Sequence, residues 1–79
     1  MITKQQHYFS GEEVHAGDKV RFTGLSGVIV FVNDTSEYLP GFTAEECNYM
    51  GSGFMVRLES GELIFLKEAD QDLELVHTL

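Results

Sequence analysis

Three stretches of this chain alternate polar and apolar residues at period two, and two more, one lying between the first two of them and one after the second, are apolar runs. In residues 18–23, Val20 and Phe22 fall on one side and Lys19 and Arg21 on the other, the pattern of a strand with one face buried. Val28, Ile29, Val30, Phe31 and Val32 are all β-branched or aromatic, which predicts a central strand covered on both faces. Alternation returns at residues 54–59, where Phe54, Val56 and Leu58 face a core, and at residues 72–76, and residues 62–67 read as the strand that returns from a hairpin. Five short strands are expected.

The connections follow from glycine, proline and capping residues. Gly17-Asp18 is a turn signal ahead of the first strand, and Gly24 and Gly27 supply a tight connection to the second. Asn33-Asp34 stops the central strand, and residues 35–52 form the longest stretch without a strand pattern. Within it Pro40-Gly41 marks a turn, and Thr43 with Glu46 has the spacing of a capping box, predicting a short helical turn over residues 44–49. Gly51 and Gly53 let the chain re-enter the sheet. Ser60-Gly61 reads as a two-residue hairpin turn with Gly61 at positive φ, which sets Glu59 and Glu62 nearly opposite one another. Residues 68–71 read as a polar 3₁₀ turn. Residues 1–13 lack periodicity and are expected to be a loose arm, anchored by Tyr8 and Phe9, ahead of a single domain at residues 14–79.

Five strands joined by a glycine-bounded first connection, a long second loop, a tight hairpin and a short turn before the last strand resemble an SH3-like barrel. The run Gly17-Asp18-x-Val20 followed by Gly24-x-x-Gly27-x-Ile29 is similar to the opening strand–turn–strand of KOW and related small barrels. The resemblance implies an all-β fold, a small five-stranded SH3-like barrel whose long second loop carries the helical turn. KOW modules that bind RNA or ribosomal partners are usually basic, and this sequence departs from that. The scaffold hosts many functions and does not choose among them.

Charge and cysteine content narrow the classes. Thirteen acidic against five basic residues give a net charge of −8, which repels phosphates, so no nucleic-acid role is expected. From Glu59 onward six carboxylates accompany one ammonium, Lys67; this reads either as a solvated acidic face or as a surface that steers a basic partner. The single cysteine, Cys47, has no partner for an internal disulfide, and His7, His15 and His77 lack metal-ligand spacing, so the core alone must stabilise these 79 residues. No run approaches the ~18 apolar residues of a membrane span. Residues 1–7 lack the pattern of an export signal, so a cytoplasmic location without membrane association is expected.

Candidate chemistry is sparse. Glu45-Glu46 and the pair Asp70 and Asp72 sit in polar segments that do not hold two acids at a fixed separation, and they read as solvated. Cys47 follows two carboxylates that disfavour its thiolate, so it reads as a structural cysteine. The glycine pairs lack the Lys-Ser/Thr ending of a phosphate loop. No catalytic residue, metal or cofactor is indicated, and the chain is not expected to be an enzyme.

The second loop is the remaining candidate. Glu37, Tyr38, Phe42, Glu45, Glu46 and Tyr49 set aromatics among carboxylates, a composition suited to a protein partner carrying Arg or Lys. The competing reading is that these aromatics fold back to close the end of the barrel, with Phe42 and Met50 in the core and Tyr38 and Tyr49 at its rim. The expected function is a non-enzymatic acidic module that binds a basic protein, one form being an inhibitor or immunity-type protein. The alternative is an assembly subunit that forms a homodimer or fits into a larger complex.

Overall fold

An unbroken β-branched run has room for its side chains on a pleated strand but needs cover on both sides. The computed structural model, which describes residues 5–76, meets that need with β1 (Lys19–Phe22), β2 (Leu25–Val32), β3 (Glu37–Tyr38), β4 (Phe54–Leu58), β5 (Leu63–Leu66) and β6 (Leu73–Leu75). One short helix, α1 (Ala44–Cys47), continues into a 3₁₀ turn (Asn48–Met50). All strand pairings are antiparallel, in the order β5-β4-β2-β1-β6, with β3 also pairing to β2. The strands expected from alternation are present; the two-residue β3 falls where no strand pattern was visible.

The interior of β2 is bulged. Ile29 pairs with Val56 and Phe31 with Met55, so β2 advances two residues while β4 advances one. Val30 is the extra residue, and its carbonyl accepts from the N–H of Leu39 at 2.9 Å. The bulge resets the alternation: Ile29 and Val32 point to one face, Val30 and Phe31 to the other. Two apolar clusters result, one on each side of the sheet. The inner one joins Val20, Ile29, Val32, Phe54, Val56, Leu58 and Leu73 with Tyr8 and Val14, and takes partly buried residues from β5 and β6 as well. Because five strands contribute to a single cluster, the sheet curls around it. The outer cluster packs Val30, Phe31 and Met55 beneath Cys47, Tyr38, Leu39, Phe42 and Met50 of the second loop, with Phe65 alongside.

Several expectations need correction. β5 and β6 are the two edges of the path and do not pair, so the sheet is open rather than a closed five-stranded barrel. The first connection is shorter than expected: Phe22 pairs with Leu25, leaving Thr23 and Gly24 as the turn. Gly27 belongs to β2, where a Cβ would stand 2.9 Å from the Arg57 carbonyl oxygen, so this glycine serves close packing between strands. The β4–β5 hairpin turns on three residues, because Leu58 N–H donates to the Glu62 carbonyl at 2.9 Å and Gly61 N–H to the Leu58 carbonyl at 2.8 Å. Gly61 has the expected positive φ, but Glu59 and Glu62 are not opposed; Glu59 N–H instead bonds back to the Ser26 carbonyl at 3.0 Å.

The described part of the amino-terminal segment is tied down rather than loose. Residues 7 and 13 form a β-bridge, Tyr8 N–H donates to the Glu12 carbonyl, and Tyr8 is only 3% exposed, whereas Phe9 beside it is exposed. Tyr8 Oη donates to Asp18 Oδ2 at 2.9 Å; burial first, and then this bond, push the phenol pKa well above its ordinary value. Gln6 is equally buried, and its Nε2 donates to Asp34 Oδ2 at 2.8 Å and to the Lys67 carbonyl at 3.0 Å. Asp34 also accepts from Ser52 Oγ at 2.6 Å and from Gly53 N–H at 2.9 Å. Gly53 is buried at φ +137°, and a Cβ there would meet the Leu66 carbonyl oxygen at 2.4 Å. The glycine expected for flexibility is thus a point of tight backbone approach.

The packing predicts a graded response. Ile29→Val, a one-methylene change in the inner cluster, should cost about 1 kcal/mol in chemical denaturation. Phe54→Ala should cost about 3–5 kcal/mol, comparable to the ~3–5 kcal/mol of net stability typical of a core this size, and should leave the chain largely unfolded at 25 °C by circular dichroism.

Candidate functional site

The second loop is fastened to the sheet before it presents anything to solvent. Thr43 caps α1, its Oγ1 accepting from Glu46 N–H at 3.2 Å and lying 3.1 Å from Glu46 Oε1, so the expected capping interaction is present. A four-residue helix leaves its last carbonyls without helical partners. Asn33 reaches in from outside: its Nδ2 donates to the carbonyl of Cys47, the last residue of α1, at 2.9 Å and to the Gly51 carbonyl just past the 3₁₀ turn at 2.8 Å. Cys47 is buried, and burial, with the Glu46 charge adding to it, pushes its thiol pKa upward, which disfavours a thiolate.

The six loop residues singled out from the sequence divide into two groups. Phe42 packs on Phe31 with ring centroids 5.7 Å apart and belongs to the outer core. Tyr38 is half-buried beside Phe31 at 5.9 Å, and its hydroxyl lies 2.9 Å from Asn48 Oδ1 and 3.1 Å from Asn33 Oδ1, donating to one of them. Burial raises its pKa. Tyr38 thus packs against the core and its hydroxyl faces the rim. Glu37 is held by Thr35, Ala16 and His15. Glu45, Glu46 and Tyr49 are exposed, Tyr49 at 80%, the largest exposure among the big apolar side chains of the described residues.

The contact that sequence spacing did not reveal is the clip around His15. Its Nδ1 stands 3.1 Å from both Glu37 carboxylate oxygens and its Nε2 3.1 Å from Glu13 Oε1, joining the segment before β1 to β3 across 22 positions. Both ring nitrogens face carboxylates, so both donate only in the imidazolium form. The bond to Glu37 is the main cause of a pKa raised above the ordinary 6.5, opposed by burial and supported by the Glu37 charge, the bond to Glu13 and the Asp18 charge. For Glu37, burial alone would raise the carboxyl pKa, but bonds from Thr35, His15 and the Ala16 N–H outweigh it and hold it below 4.5. A lone exposed histidine carries no mark of such a partner in the sequence, because β3 brings Glu37 to it only after the loop folds.

Among the described residues no three His, Cys, Asp or Glu side chains gather as metal ligands, and no helix is long and apolar enough to cross a membrane. No family model, curated protein or solved structure matches the chain. The geometry of the loop therefore carries the functional argument by itself. That geometry places an exposed tyrosine and two exposed carboxylates on a short helical cap.

The His15 clip predicts a two-sided pH dependence. His15, with its folded pKa raised, contributes stability that is fully present below 6.5 and lost as pH rises through the folded value. Glu37, with its folded pKa lowered, contributes stability present above 4.5 and lost as pH falls through the folded value. The Tm should therefore be greatest between these limits, and His15→Gln should flatten the alkaline limb while leaving the acid limb from the other Glu37 bonds.

Proposed function

We propose that this chain is a non-enzymatic protein-binding module on an SH3-like scaffold, whose second loop engages a basic partner protein through Tyr49 with Glu45 and Glu46. Support for the scaffold comes from the strand path, in which β1 lies between β2 and the returning last strand β6. The observation that carries the recognition reading is the exposure of Tyr49 at 80% on a cap that Asn33, Thr43 and the buried Cys47 hold in place. A rigid aromatic ring costs little conformational entropy to immobilise, and carboxylates beside it match Lys or Arg on a partner. With a net charge of −8, approach of a basic protein is accelerated at low salt, which suits an inhibitor of the immunity type.

A second reading is self-association or insertion into a larger assembly. It is favoured by the two sheet edges, β5 and β6, that no other strand of the described residues pairs with, and by Leu63 on β5, which is half exposed. The two readings separate by salt dependence, because charge-steered binding weakens as salt rises and an apolar edge-to-edge dimer does not.

The test compares variants for capture of host proteins at low and moderate salt. Tyr49→Ala and Glu45→Lys should each reduce retention of a basic protein at least severalfold with Tm unchanged. Tyr38→Ala should instead lower stability by about 1–3 kcal/mol, through lost packing and unpaired Asn33 and Asn48 groups. Equal capture by wild type and Tyr49→Ala, or recovery of the domain alone, overturns the loop assignment.

A further inference from the structure

Among the described residues, the outer face of the sheet is covered on one half only. The second loop closes over Val30, Phe31, Met55 and Phe65, but along the same face past Val28 the strand alternation carries Lys19 and Arg21 on β1, Ser26 on β2 and Arg57 on β4. Val28 pairs with Lys19 on one side and with Arg57 on the other, so a cation, a valine and a cation stand in one row across three strands. Strand spacing sets the two cations' Cα atoms roughly 10 Å apart. An open groove of about 570 Å³ occupies this half-face, with Val28 and Val76 among its apolar walls and Lys19 and Arg57 at its flanks.

Three of the five basic residues of a chain with thirteen carboxylates therefore share one exposed half-face. Lys19, Arg21 and Arg57 make no side-chain hydrogen bond or ion pair among the described residues, although Glu74 is the register partner of Arg21 and Glu59 borders the groove. The surrounding carboxylates thus leave these cations available.

We infer that this half-face is a docking groove for an acidic, extended peptide segment of a partner protein. An apolar side chain of the segment seats on Val28, and carboxylates on either side of it reach Lys19 and Arg57, with Arg21 extending the cationic wall along β1. Arginine binds a carboxylate bidentately, and the apolar floor favours a side chain over a sugar-phosphate backbone. A polyanion is further disfavoured by the net charge of −8, which opposes it everywhere beyond the groove. This site is independent of the second-loop surface, which is acidic, and the two readings fail separately.

The test is a titration of the ¹⁵N-labelled full chain with the peptide acetyl-Glu-Glu-Leu-Glu-Glu-amide, with its Lys-for-Glu counterpart and a thymine decanucleotide as comparisons. The expected result is saturable shifts of the Lys19, Arg21, Val28 and Arg57 amides with the acidic peptide alone. These shifts should weaken roughly tenfold in Lys19→Glu/Arg57→Glu and, through loss of the bidentate fork, measurably in the milder Arg57→Lys. Both variants should keep the wild-type spectrum elsewhere, since the altered side chains are exposed. Absence of saturable shifts up to ~1 mM, shifts confined to other residues, equal shifts from the basic peptide, tighter binding of the oligonucleotide, or a dimer that buries the groove would overturn the inference.

Discussion

A single strand with both faces covered is the constraint on which this structure depends. β2 contributes to both apolar clusters, and the bulge at Val30 lets Ile29 and Val32 serve the inner core while Val30 and Phe31 serve the outer one. Without the extra residue, strict alternation would send Phe31 inward and Val32 outward, exchanging a large ring for a small side chain on each side. The same strand passes one edge from β1 to β3 and keeps β4 on the other. A chain of 79 residues has little interior to spare, and two thin layers on a shared strand bury apolar side chains that one layer would leave exposed.

Polar clasps complete what the apolar layers begin. Asp34 ties the amino-terminal segment, through Gln6, to the chain entering β4, through Ser52 and Gly53; Asn33 beside it holds the carbonyls at the end of the helical cap. His15 joins Glu13 to Glu37 in the same manner. Each clasp spans segments distant in sequence and satisfies groups that the short elements leave unpaired. Those partly buried are worth more than exposed ones, because water competes less for their donors and acceptors.

The fold also sorts charge. Alternation along β1 and β4 places Lys19, Arg21 and Arg57 on the uncovered half of the outer face, whereas the helical cap on the other half displays Glu45 and Glu46. An overall net charge of −8 conceals this separation. The local potential over each half-face is set by this arrangement and not by the net charge.

Period-two alternation around Val20, Phe22, Phe54, Val56, Leu58, Leu73 and Leu75 was enough to locate strands and name most of the inner core, because a half-buried strand writes its burial directly into the sequence. The Thr43–Glu46 cap was legible for the same local reason. What the sequence could not express was pairing between distant segments. Gly27 has the composition of a turn residue but is a close-packed strand residue because Arg57 lies against it, and Tyr8 leaves an apparently polar arm for the core because Asp18 receives its hydroxyl. Whether Tyr38, Phe42 and Tyr49 were core or surface was likewise decided by where the second loop landed on β2. The sequence by itself determined which residues seek burial; the tertiary structure alone decided which of them find it, because contact across tens of residues depends on the path of the whole chain.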